Sequence, residues 1–409
     1  MKTSAFLSLA AIALTLTFCE KCPCPSDSPP GPGEEEPVPV PVRRDTTVLV
    51  TGVDFPEGYD WRRDTARGDV PCKIVLFKNG ERILEVPSGP STHSCADPDM
   101  HWISGGSLYT EFSSADRTFI TRNGTDLFSF SGRELICGMI VEGSDVWTLG
   151  QDRDGRGFTL RKNGKDILRS ESGIIPGRMG SPLLPTGALY EDEGRKCFAW
   201  KTVETVGVAK KTDWHLYCDG EVTDLPYDSS ISEVFDVRMA GGLVCKAYRI
   251  RDFPAGFIVR AGNKDHFIVK PVGFVPLNCL LVPYGNGLLA VGEGGNQNGE
   301  RYSCIWDLND MVKMENGNMV SFTVSEAGTA CVSCDGDGSV LAVRGITRSW
   351  YPEKNTRMMT QSCLCIAGES AFAALTPGSG NPFIIREGEK KEVAINGYLT
   401  SISVSINEI

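Results

Sequence analysis

The chain has 409 residues, of which 41% are hydrophobic, 23% charged and 9% aromatic. That make-up belongs to a folded chain and excludes collagen-like, coiled-coil and wholly disordered classes. Forty-one Lys and Arg against 52 Asp and Glu leave a net charge of −11, which argues against a sequence-independent grip on nucleic acid phosphates.

Met1 and Lys2 form a short basic start, and Ala5 to Phe18 an apolar run of about 14 residues. The run is shorter than the roughly 20 residues of a membrane span and has the length of a secretory signal. It ends in Leu16-Thr17-Phe18-Cys19. Leu16, Thr17 and Cys19 fit the bacterial lipoprotein pattern, in which the cysteine takes the lipid, while Phe18 departs from the small residue preferred there. Pro23, Pro25, Pro29, Pro30, Pro32, Pro37, Pro39 and Pro41, with Glu34 to Glu36, have no core-forming period and read as a solvated spacer. The expected organisation is a signal peptide over 1–18, a lipid-anchored linker over 19–45 and a folded domain over 46–409. The expected location is the outer membrane or cell surface, with the periplasm as the alternative.

From Thr46 the pattern is short alternating strands between Gly, Asn and Asp turns, with almost no helical period. A strand-turn-strand unit at Lys73 to Leu84 centres on Asn79-Gly80 and returns at Asn123-Gly124 and Asn163-Gly164. Asn-Gly takes positive φ at both turn positions, so each copy predicts a tight hairpin. Weaker copies centre on Asp219-Gly220, Gly262-Asn263, Asn316-Gly317, Asn355 and Gly388. A second series of turns lies between them, at Gly105, Gly143, Gly194, Gly241, Gly285, Gly336 and Gly368. In four-stranded units read a-b-c-d, the first series is c-to-d and the second a-to-b.

A repeat near 45 residues made of strands predicts an all-β fold, a β-propeller. Eight blades are expected, with seven as the alternative because the copies at Asn316 and Asn355 are degenerate. The domain opens on Thr47 to Gly52, which resembles a b-strand, and finishes on an unaccompanied strand, Leu399 to Ile406. Pairing of the two is expected to close the ring. The Gly143-Ser-Asp-Val-Trp147 strand and the Leu160-Arg-Lys-Asn-Gly164 hairpin resemble the internal repeats of uncharacterised Bacteroidetes-type envelope lipoproteins with β-propeller repeats. The likeness covers about nine-tenths of the chain and implies a fold and an address, not an activity.

In such a meander the b-c and d-a loops share one end of the blades. The long insertions Phe55 to Pro71, Thr202 to Asp213 and Glu293 to Arg301 are expected there, where a rigid scaffold presents functional loops. Tyr59, Trp61, Arg62, Arg63 and Arg67 combine rings and guanidinium groups suited to sugars, peptides and carboxylates; a loop packed on itself is the plainer reading. Asp152, Arg153, Asp154 and Arg251 are expected on the same face. The expected function is non-enzymatic binding of a glycan, a peptide or an envelope protein by a monomer. The alternative is a propeller glycoside hydrolase or polysaccharide lyase with carboxylates at the channel mouth. No cofactor or metal is expected: His93, His101, His215 and His266 form no ligand spacing, and Asp152-x-Asp154-Gly155 and Asp335 to Gly338 lack the trailing glutamate of a calcium loop. Cys137, Cys279, Cys331, Cys334, Cys363 and Cys365 are placed in a-strands as buried thiols.

Overall fold

The computed structural model describes residues 44–408, apart from 64–69, 88–100, 115, 153, 177–187, 207–208, 251–255, 270–274, 285–286, 297, 307, 309–310, 317–318, 325–329, 335–338, 343–347, 350–355, 360, 369 and 387–388. The expected signal peptide, Cys19 and the expected linker up to residue 43 lie outside the described residues; Arg44 and Asp45, expected in the linker, already open the first strand.

The fold is all-β, a run of antiparallel meanders that follow one another along the chain. Sheet A holds Arg44–Asp54, Lys73–Lys78 and Glu81–Pro87, with Gly397–Glu408 on its inner edge. Sheet B spans residues 101–131, sheet C 134–170, sheet D 190–225, sheet E 231–269, sheet F 275–316, sheet G 319–349 and sheet H 356–392. Successive four-stranded meanders of this kind are the blades of a β-propeller.

The repeated Asn-Gly pair does two jobs at once. Asn79, Asn123 and Asn163 have φ of 51°, 52° and 51°, as the tight c-to-d turn requires. Their side chains also reach across the sheet: Oδ1 accepts the N–H of Val48, Leu108 and Val146, at 2.8 Å in each case. The asparagine N–H returns a bond to the carbonyl of the same b-strand residue. Asp219 repeats the pattern on Lys196, with its carboxylate 3.0 Å from the backbone nitrogen. Gly262 keeps only the backbone half, to Val244. Asn163→Ala is therefore expected to cost about 2 kcal/mol in urea unfolding, from the left-handed backbone and the orphaned Val146 N–H together. Asn163→Gly, which keeps the backbone freedom, is expected to cost less.

The glycine that follows admits a neighbour. A Cβ at Gly124 would meet Val86 of sheet A, and one at Gly164 would meet Phe128 of sheet B. Beyond each of these turns the d-strand carries a bulge at the same offset, since Leu76 pairs with Leu84 but Phe77 with Arg82, and sheets B and C repeat it. The skipped residues, Ile83, Leu127 and Ile167, point into solvent.

The hydrophobic cores among the described residues lie between neighbouring sheets. Leu149, Phe158 and Leu160 of sheet C pack with Phe198 and Trp200 of sheet D. Trp214 and Leu216 of D meet Val237 and Met239 of E, and Phe257 of E meets Leu281 and Trp306 of F. Val53 and Ile74 of A meet Leu108 of B. Phe372, Leu375 and Ile385 of sheet H share one core with Val50, Val75, Leu399 and Ile402 of sheet A. Polar side chains also stitch sheet to sheet by taking backbone N–H groups of the next inner strand or its turn. Glu111 accepts from Ile136 at 2.9 Å, Asp192 from Gly241 and Gly242 at 2.7 and 3.0 Å, and Asp236 from Leu281 at 2.8 Å. Burial raises the Asp236 pKa, partly offset by Arg238 and by the hydrogen bond from Leu281. Thr376 of sheet H accepts from Leu399 at 3.2 Å.

The first and last described strands pair. Gly397–Glu408 runs antiparallel to Arg44–Asp54, with Ile406 opposite Thr46 and Leu399 opposite Gly52.

Several local assignments differ from expectation. Asn316 ends the d-strand Met311–Asn316, so the Asn316-Gly317 pair is not the c-to-d turn of sheet F. Cys331 and Cys334 lie on the b-strand Ala330–Cys334, not an a-strand, because Met319–Val324 occupies the inner position of sheet G. Residues 202–213 are not a loop insertion: Arg195–Val206 and Ala209–Cys218 stay paired out to Val206 and Ala209. Cys197 and Cys218, opposite each other in that ladder, form a disulfide. Cys137, Cys279 and Cys363 are buried thiols and Cys365 is half-buried; Cys363 ends the short 3-10 turn Gln361–Cys363 before the strand Leu364–Ala367 and is not on an a-strand. The turn at Asn355 and the Asp335 to Gly338 run lie outside the described residues.

Candidate functional site

The b-c and d-a connections carry two features. The first is the 55–63 segment between Arg44–Asp54 and Lys73–Lys78. Its backbone is tied to the d-a connection before Gly397: Phe55 N donates to the Asn396 carbonyl at 2.9 Å, and Asn396 Nδ2 donates to the carbonyls of Pro56 and Tyr59 at 2.7 and 3.1 Å. Trp61 is buried, its ring centre 5.3 Å from that of Tyr398, and Tyr59 is half-buried 5.2 Å from Phe55. Arg62 stacks over Trp61 at 4.4 Å and donates to the Gly380 carbonyl at 2.7 Å, in the b-c loop of sheet H. Arg63 is exposed and pairs with Asp60 at 3.2 Å. The aromatic residues here anchor the segment in a core, and the arginines lie outside it.

Asp152 ends the strand Asp145–Asp152 of sheet C, Asp154 lies in the turn after it, and the two are tied by local bonds. Gly155 N donates to the Asp152 carbonyl at 2.9 Å, and Arg156 N to the Asp154 carboxylate at 3.0 Å. Burial first, then the charge of Asp154, raises the Asp152 pKa. Arg67, Arg153 and Arg251 lie outside the described residues.

The second feature was not legible in the sequence. Two adjoining clefts, of about 340 and 760 Å³, open between sheets D and E, beneath the d-a connection 226–230. The smaller takes Lys201, Lys210 and Trp214 from D and Glu233 and Lys246 from E; the larger takes Tyr248, Arg260 and Phe267 from E. Both share Tyr227, Asp228 and Lys246. Lys210 and Thr212, from the paired extension of sheet D, form part of the wall of the smaller cleft. Side chains alternate across Leu243–Ile250: Cys245 and Ala247 enter the core with sheet F, while Lys246 and Tyr248 line the cleft.

The acids of the cleft already have partners. Asp228 accepts from Ser230 N at 2.8 Å and Ser230 Oγ at 2.7 Å, and these bonds lower its pKa. Asp265 takes Arg260 through two bonds of 2.6 and 2.8 Å, and Glu233 lies 3.5 Å from Arg249. Lys201, Lys210 and Lys246, in contrast, have no carboxylate within ion-pair distance among the described residues. Lys246 is half-buried, and that burial lowers its pKa, with Asp228 opposing and Arg260 adding.

On the opposite face of sheet D, His215 Nε2 lies 3.1 Å from Thr202 Oγ1 and Nδ1 lies 2.7 Å from Asp224 Oδ1. The order of hydroxyl, imidazole and carboxylate suits proton transfer. The imidazole is stacked on Trp200 at 5.0 Å and 18°, so the group ties strands b, c and d together. No metal-holding group of three or more ligating side chains occurs among the described residues.

No protein-family model and no curated protein sequence matches the chain. Among solved structures, a eukaryotic initiation factor is similar over 81% of this chain and 86% of its own, at 11% identity and a TM-score of 0.43. The β-propeller domain of the Trilobed protease from Pyrococcus furiosus is similar over 85% and 95%, at 12% identity and a TM-score of 0.42. An uncharacterised protein from Listeria monocytogenes is similar over 72% and 93%, at 9% identity and a TM-score of 0.39.

Proposed function

We propose that the chain is an exported, lipid-anchored binding module. In this reading it is an eight-bladed β-propeller, closed by Gly397–Glu408 on Arg44–Asp54, that takes its ligand on the b-c and d-a face between sheets D and E. Closure is supported by relations that recur from sheet H to sheet A. The H–A core has the same place as the other intersheet cores, Thr376 accepts from Leu399 as Glu111 does from Ile136, and Lys391 of H packs on Gly80 as Phe128 packs on Gly164. The anchor rests on Cys19 and the proline-rich spacer.

The observation that carries the functional reading is the cleft itself, lined by three lysines that have no carboxylate within ion-pair distance among the described residues. Its acids are held by Ser230, Arg260 and Arg249, which suits recognition more than acid–base chemistry. A glycan array probed with the purified chain tests this. Retained glycans are expected to be lost with Lys246→Gln and kept with Arg63→Ala. The reverse pattern would move the site to the 55–63 segment, and silence on the array together with capture of an envelope protein would move the ligand class to protein.

A further inference from the structure

We infer that the ligand of the D–E cleft is an acidic polysaccharide, bearing carboxylates or sulfates, laid along both clefts with one anionic group at Lys246. This rests on the reading of the cleft as the binding site and names the ligand chemistry.

Charge is the first argument. The chain carries a net −11, yet Lys201, Lys210 and Lys246 converge on one cleft with no carboxylate in ion-pair reach among the described residues. An ammonium group that has lost part of its hydration gains most from a charge-assisted bond to an incoming anion. The lowered pKa of Lys246 reflects that partial desolvation. Negative surroundings would repel an anion everywhere except at such a site, which makes position selective as well as affinity.

Shape is the second. Lys246 lines both clefts, so a ligand reaching it from one can continue into the other. Such a groove fits a chain with repeating units better than a single small anion.

The third argument separates sugar from peptide. The exposed rings of Tyr227 and Phe267 border the larger cleft and offer flat apolar surfaces to the C–H faces of pyranose rings. The carboxylates of Asp228 and Asp265 lie among them, and the lone pairs not taken by Ser230 and Arg260 can accept hydroxyl groups. They would penalise a densely charged acidic peptide while accepting a chain whose charges are spaced by neutral hydroxyls.

Isothermal titration of the full chain with defined oligosaccharides decides the matter. The panel is polygalacturonate and chondroitin sulfate oligomers, neutral cello-oligomers of matched length, and a poly-glutamate peptide. Acidic oligosaccharides are expected to bind, to weaken as salt rises, and to lose about ten-fold or more with Lys246→Gln. Lys210→Glu, at an exposed position that leaves folding alone, is expected to weaken them as well; Lys246→Arg is expected to retain part of the affinity. Preference between the galacturonate and sulfated oligomers identifies the source of the anion. Equal binding of neutral oligomers overturns the acidic ligand and leaves the cleft standing. Tighter binding of poly-glutamate overturns the polysaccharide. Binding untouched by the Lys246 and Lys210 changes overturns the cleft, and no binding across the panel overturns both readings.

Discussion

Deleting Gly397–Glu408 is expected to abolish cooperative unfolding of the domain, and Leu399→Ala alone to cost about 3 kcal/mol. The strand supplies the inner edge of sheet A and pairs with Arg44–Asp54 along its length. Tyr398, Leu399 and Ile402 are buried, in two different cores. Truncating a buried residue of this size costs about 2 to 5 kcal/mol, and losing three of them rivals the roughly 5 to 15 kcal/mol of a whole domain. Polar ties go too, because Thr51 Oγ1 lies 2.7 Å from Thr400 Oγ1 and 2.6 Å from Ser401 Oγ. The deletion also bares an apolar strand edge, so aggregation accompanies the loss. Gly397→Ala gives a milder version, since a Cβ there would run into the Val53 carbonyl. Urea unfolding followed by tryptophan fluorescence reads all three, and a synthetic 397–408 peptide added in trans is expected to restore part of the transition. A truncated chain with the midpoint and slope of the intact one would show that the terminal pairing does not hold the domain together.

That pairing was legible in the sequence because it follows from a local deficit. Asn79-Gly80 and its copies mark c-to-d turns by backbone chemistry alone, and once those are fixed, Thr47 to Gly52 lacks a strand before it and Leu399 to Ile406 lacks one after it. The side-chain half of the motif, Asn Oδ1 on the b-strand N–H, needed the sheet. The same local signal also occurs away from a c-to-d turn. Asn316-Gly317 has the same chemistry as Asn163-Gly164, but Asn316 ends the last strand of sheet F, and Cys331 and Cys334 accordingly fall on a b-strand and not on an a-strand. The site was harder still. Trp61 and Arg62 are conspicuous in sequence, yet Tyr398, more than three hundred residues on, claims the indole ring. Lys201, Lys210 and Lys246 are unremarkable as residues; they meet only because sheets D and E stand side by side, with the connection through Tyr227 and Asp228 crossing above. Turn chemistry is written within four residues, whereas a cleft between sheets is written in the packing of strands from both.

Between pH 6.5 and 5 the domain is expected to lose stability through one residue, His101, at a slope that rises toward roughly 1.4 kcal/mol per pH unit at the acid end. The side chain is buried at the start of sheet B, with Nδ1 3.3 Å from Thr400 Oγ1 and Nε2 without a hydrogen-bond partner among the described residues. Burial without a compensating acid drives its pKa from 6.5 down to about 3. A histidine held neutral in the fold takes up its proton first in the unfolded chain, so unfolding binds protons and stability falls as pH falls below 6.5. The loss ends near pH 3, where the folded form titrates as well. Glu85 works in a lower window: Lys73 and Arg82 lower its pKa from 4.5 to about 2, so its contribution is complete above 4.5. The buried carboxyl of Asp236, with a raised pKa, acts in the opposite sense, since protonation relieves its desolvation as pH falls. Comparing the chain with its His101→Phe variant by urea unfolding at half-unit steps removes both carboxyl contributions from the difference. The variant is expected to be flatter over this interval by the amount assigned to His101. Parallel curves would mean that the folded imidazole takes up its proton over the same range as in the unfolded chain, so that burial does not hold it neutral.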